Sequence, residues 1–312
     1  MPEPMQTLIA RRGVFTLAGL ACARTARAQD AAPTDLMPAF WAVFDGHRAT
    51  GDDALARAIR DAFFLPHIAA YREAGIGRVD FGQWLMAFAP LAPATRSLSL
   101  ALPGLWQAHV ARFAEALPDA APAPVALLPS FFWFDARVRV LPSGPALFLA
   151  PDGVVRVHGA AADIAILLVH ESFHLYHHQV NVTLLLPGGD PLWLGIWKEG
   201  LAVHACAVLR PDATRRDVLL GDASLAGIEA DVLRRIAAEV LPLLGTTSGE
   251  ARARYLNYGY RGDIPARSGY ALGFAVAARV AAERGLGLPA LARVPMTEAE
   301  ILLREALAAL AA

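Results

Sequence analysis

The stretch AADIAILLVHESFHLYHHQVN, residues 161–181, constrains this chain more than any other. It has the length and apolar content of an interior helix. Yet two histidines and a glutamate stand in its middle, where leucine or valine would bury at lower cost. Any fold that buries this helix must give those polar side chains partners. Asp163 stands where an N-cap belongs, so the helix is expected to open there. His170 and His174 are four apart, which places both imidazoles on one face, about 6 Å apart along the axis and within reach of one ion. Glu171 points to a neighbouring face, where it can take a proton from a water at the metal without ligating the metal itself.

An open catalytic site needs a third protein ligand. His178 continues the i, i+4 series but lies about 12 Å along the helix from His170, too far to share the ion. The extended form HExxHxxGxxH fails as well, because His177 stands at the glycine and Val180 at the third histidine. Downstream, WKEGLAVHAC places Glu199 after the break LLPGGDP. A helix, a tight turn at residues 187–191 and a returning helix would carry Glu199 back against the two histidines. Two imidazoles, one carboxylate and a water make a catalytic zinc site.

With these residues the chain resembles the gluzincin metallopeptidases, and within them the predicted zinc-dependent proteases in which HExxH is followed by a Glu-Gly-Leu-Ala helix. His170, Glu171, His174 and Glu199 match residue by residue, over roughly residues 160–210. The resemblance implies a zincin-like core, one zinc per chain, and hydrolysis of peptide bonds in peptide or protein substrates with Glu171 as the base. It also implies an edge strand beside the active-site helix that takes extended substrate by strand addition, with PALFLA or GVVRVH in that role. A second stabiliser of the tetrahedral anion is expected, and Tyr270, flanked by Gly269 and Gly273 at a helix start, is the candidate. Tyr258, Tyr260, Arg267 and His204 compete with it. The plainer expectation is local packing for the tyrosines and a solvated helix end for Arg267.

Other polar and aromatic residues read more simply. Trp193 and Trp197 suit a core better than a substrate platform. His47, His67, His109 and His158 have no ligand spacing and are expected at the surface or in local bonds. Asp163 and Asp190 could orient a ligand histidine, but capping and turn roles account for both.

Periodicity gives an α+β chain, mostly α. Helical patterns fill residues 34–118, a proline-rich connector leads to 125, and residues 131–158 read as a small antiparallel sheet punctuated by Pro-Ser-Gly-Pro and Pro-Asp-Gly. Helices return from Asp163 to the end. The expected division is an export signal over 1–28, a helical lobe over 29–125 and the catalytic region over 126–312.

The export signal rests on Arg11 and Arg12, the short apolar run VFTLAGLACA and the small-residue pattern before Gln29. The paired arginines resemble a twin-arginine signal, with the Sec route equally open, and the destination is periplasmic or extracellular. Lipid attachment at Cys22 is the weaker reading, because Gly19 stands where a lipobox wants leucine. Cleavage would lower the basic residues from 28 to 24 and the acidic from 29 to 28, and would leave Cys206 without a disulfide partner in the chain. With so little positive charge, nucleic acid is not expected as a partner, and no later stretch is expected to insert stably in a membrane. The competing classes are an exported binding module, with zinc or without metal, and a zinc hydrolase of another amide or ester.

Overall fold

The computed structural model describes residues 33–184 and 189–312; the expected export signal lies outside the described residues. The described chain is α+β and mostly helical, as the periodicity indicates. Asp163 caps the HESFH helix, Ile164–Val180, its carboxylate accepting the Ile166 N–H at 3.2 Å. Glu199 lies on the next long helix, Leu192–Leu209. Its first-turn N–H groups have no partner within the helix. Those of Leu192 and Trp193 donate to the carbonyls of Thr246 and Leu244, which ties the helix start to a later turn.

The sheet differs from the antiparallel one expected. Strands β1 (Thr34–Asp35), β2 (Val125–Leu127), β3 (Ala136–Leu141) and β4 (Gly144–Leu149) lie in the order β1-β2-β4-β3. Only β3 and β4 pair antiparallel, as a hairpin at the Pro-Ser-Gly-Pro turn, while β1–β2 and β2–β4 are parallel. Parallel neighbours must be distant in sequence, so local turn signals cannot announce them.

Two expected strands are not strands. GVVRVH belongs to the helix Pro151–His158, because proline suits the first helical position and Asp152 the first turn. Gly153 is required there: a Cβ would lie 1.8 Å from the Phe134 carbonyl oxygen. The aromatic run FFWF forms a turn, with Phe131 and Phe132 at positive φ. The buried Asp152 carboxylate holds it by accepting the N–H groups of Ser130 at 2.7 Å and Phe132 at 3.1 Å.

PALFLA is β4 with its first flanking residue beyond, and it lies between β2 and β3. Neither stretch proposed for the edge is one; the edges are β1 and β3, and β3, ARVRVL, is the one that lines the cleft of the HESFH helix.

The HESFH helix is the common spine of the core. Leu167, Leu168 and Leu175 pack with the N-terminal lobe and the sheet, where Phe40, Phe63, Trp84, Phe88 and Phe131 form an aromatic cluster. Phe173 and Tyr176 pack with the C-terminal helices, and with them Trp193 and Trp197, which are core residues as expected. Ile166 and Val169 join a third cluster with Cys206, whose sealed thiol lies 3.5 Å from the Ile166 carbonyl.

His47 and His67 make the local bonds expected, each to the carbonyl four residues back. His109 and His158 do not. His109 is buried against Ser172 of the HESFH helix at 2.8 Å, and His158 pairs with Asp135 at 2.6 Å. Among the described residues, two segments are long and apolar enough to cross a membrane, Phe81–Ala116 and Leu192–Leu209. No stretch after the export signal was expected to qualify. The second is largely interior and carries Glu199.

Candidate metal centre

The Glu199 helix crosses the helix Ser268–Arg284 with no side chain between them. A Cβ on Gly200 would lie 2.2 Å from the Gly273 carbonyl carbon, and one on Gly273 would lie 2.2 Å from the Ile196 carbonyl oxygen. This contact explains the glycine after Glu199. It seats Glu199 and Tyr270 on adjoining helices that both face the HESFH helix.

His170, His174 and Glu199 come together, as their spacing implies. His170 Nε2 lies 3.1 Å from His174 Nε2 and 3.1 Å from Glu199 Oε2, and His174 Nε2 lies 3.3 Å from the same oxygen. Two ring nitrogens and a carboxylate oxygen converging this closely form a group that could hold a metal ion. The edges are those of three donors on one tetrahedral face, about 3.3 Å for bonds of about 2.0–2.1 Å. One feature is unusual for a ligand: the buried Nδ1 of His170 has no hydrogen-bond partner among the described residues.

Burial lowers the pKa of His170. For His174 burial acts the same way, but the charge and hydrogen bond of Glu199 outweigh it and the pKa rises. Burial would raise Glu199, and the two histidines instead hold it well below the usual carboxylate range. Glu171 is not one of the three converging donors and faces the same cleft, which has a volume of about 240 Å³. Burial, with the charges of Asp135 and Glu199, pushes it up to about 8, against the opposing pull of His174 and Arg137. A cation in the cluster would favour its carboxylate form again.

Tyr270 lies flat beside the first histidine, its ring parallel to His170 within 5° at a centroid distance of 6.0 Å. Tyr258 also lines the cleft, but its hydroxyl donates to Asp135 Oδ2 at 3.2 Å. Tyr260 is engaged with Asp263 at 2.8 Å, and His204 packs near Phe274. Arg267 is not at a solvated helix end. It is 2% exposed at positive φ, pairs with Asp222 at 2.9 Å, and lies 3.8 Å over the Tyr258 ring and 5.2 Å from that of Tyr270.

Asp190 pairs with Lys198 rather than a ligand histidine, and Asp163 acts as the cap. His178 reaches the cleft wall, where burial lowers it to about 4. The His158–Asp135–Tyr258 chain under β3 escaped the sequence reading, because Asp135 and Tyr258 are 123 residues apart with no motif linking them. A second cavity of about 400 Å³ adjoins the cleft at Tyr258 and Leu220.

Comparison of the chain with protein-family models, with curated proteins and with solved structures finds no match.

Proposed function

We propose that this chain is a zinc-dependent peptide-bond hydrolase in which His170, His174 and Glu199 hold the ion and Glu171 is the general base. The observation that carries this reading is the triangle of donor atoms, 3.1 to 3.3 Å on a side, with a glutamate in the same cleft that is not part of the triangle. Two imidazoles and one carboxylate suit zinc and leave a fourth position open, as a catalytic site requires. When bound, zinc supplies Lewis acidity, drawing electron density from a carbonyl and easing deprotonation of water.

The protein groups supply the rest. Glu171 takes a proton from the attacking water and returns it to the leaving nitrogen. The water oxygen bonds to the carbonyl carbon, the C–N bond breaks, and a carboxylic acid and an amine leave. Tyr270 donates its hydroxyl to the carbonyl oxygen as charge develops there. Burial holds that phenol well above its ordinary pKa, so the proton it needs is present. Tyr258 is poorly placed for this because Asp135 already takes its hydroxyl. The outer edge of β3 lies at the cleft and suits extended peptide or protein substrates.

Residues 29–312 purified without chelator should carry about one zinc per chain by elemental analysis, and Glu199→Ala much less. A parent that takes up no zinc even on incubation with it overturns the reading. Glu171→Gln should keep the zinc and lose about 10²- to 10⁴-fold in turnover of a peptide library. Undiminished turnover would remove Glu171 from its role.

A further inference from the structure

The cleft contains a cation that the hydrolytic chemistry does not use. Arg137 is on β3 and lines the cleft together with Glu171 and the three ligand residues. Its guanidinium lies 4.7 Å over the Phe134 ring, and its one hydrogen bond to a described residue is long, 3.4 Å from Nη1 to the Ala74 carbonyl. No carboxylate among the described residues is within ion-pair distance of it, and neither Nε nor Nη2 is a sealed atom left without a partner. Lys198, the other cation on the cleft wall, differs in that Asp190 occupies it at 2.5 Å.

A half-buried guanidinium that faces a cleft with no carboxylate in ion-pair contact is a ready site for one. Its planar fork matches a carboxylate in two parallel hydrogen bonds. Burial, with the like charge of Arg139, outweighs the longer-range pull of the Asp135 and Glu171 carboxylates and disfavours the charged form of Arg137, a cost that a carboxylate bound in direct contact would offset. Arg137 and Glu171 line the same cleft of about 240 Å³, so an anion held at Arg137 lies in the space where Glu171 would act. Through Ala74 the side chain also touches the helical lobe.

We propose that Arg137 receives a carboxylate of the substrate, so that the enzyme selects peptides bearing an anionic group close to the bond it cleaves. This rests on the hydrolase reading above. The carboxylate is either the free C-terminus or an acidic side chain, and the chemistry at Arg137 is the same for both.

The test measures binding separately from turnover. The zinc-loaded Glu171→Gln protein is titrated, by fluorescence anisotropy, into labelled peptides of one neutral sequence. One pair ends in a free carboxylate or a carboxamide; a second pair, both amidated, carries Glu or Gln at the penultimate position. In at least one pair the carboxylate form should bind about 10- to 100-fold more tightly, and the pair that responds identifies the source. Adding Arg137→Gln should abolish that preference and leave binding of the neutral peptide unchanged, while Arg137→Lys retains part of it. Zinc content and thermal midpoint of both variants should match the parent. Equal binding within both pairs, no binding of any peptide, or a preference that survives Arg137→Gln overturns the proposal. Turnover by the unsubstituted protein reports on the hydrolase reading alone. A preference without hydrolysis of any peptide leaves the carboxylate site standing and removes the hydrolase; hydrolysis without a preference does the reverse.

Discussion

His109 joins the long helix Ala92–Ala116 to the HESFH helix through Ser172, and burial lowers its pKa from 6.5 to about 4. The folded protein therefore prefers the neutral ring, whereas the unfolded chain takes up a proton on falling below pH 6.5. Between those two values the unfolded state binds more protons, so stability is full above pH 6.5 and declines as the pH falls toward 4. For this one group the loss is at most about 3 kcal/mol. His109→Gln cannot titrate there. Its thermal midpoint should fall less between pH 7.5 and pH 5 than that of the parent, whatever its stability at neutral pH, and equal falls would show that His109 is not the group responsible. At this scale the site was legible wherever chemistry follows spacing. His170 and His174 meet because a helix repeats every 3.6 residues, and Glu199 joins them because its helix returns. Arg267, Arg137 and His109 were not legible in this way. Their partners, Asp222, Ala74 and Ser172, come from other elements, and nothing local marks an arginine as buried.

The crossing of the Glu199 and Tyr270 helices depends on two glycines whose hydrogens face backbone atoms. Gly200→Ala would place a methyl group 2.2 Å from the Gly273 carbonyl carbon, and backbone cannot move aside as a side chain does. The cost should reach or exceed the upper end of the about 1–3 kcal/mol usual for overpacking, read as a shift of the urea midpoint. Zinc affinity should fall with it, because the displaced helix carries Glu199. Gly46→Ala is the matched control. It sits in the helix Met37–His47 with open space around it, and should be neutral or stabilising by about 0.5–1 kcal/mol. A similar loss in both variants would count against the crossing. The helices themselves were readable from caps and periodicity, as with Asp163 and the HESFH helix. The sheet was read less well. Pro-Asp-Gly resembles a turn, yet Pro151 and Asp152 begin a helix, and β1 pairs with β2 across about ninety residues of intervening chain. A strand of two residues has no period to detect.

Across the whole molecule, the HESFH helix gives side chains to all three apolar clusters, so the core of the lobe and that of the C-terminal helices are joined through it. Unfolding in denaturant should therefore be a single transition, with tryptophan fluorescence and far-ultraviolet circular dichroism giving the same midpoint. Trp41, Trp84 and Trp106 report from one side and Trp193 and Trp197 from the other, so two separated midpoints would show that the halves melt independently. Cys206 adds a timescale to this arrangement. Its thiol is sealed on the Glu199 helix against a carbonyl of the HESFH helix, and burial pushes its pKa up, so in the closed protein it is inert. An alkylating reagent in excess can reach it only when those two helices part, which makes the labelling rate a clock for how often the elements that carry His170, His174 and Glu199 come undone.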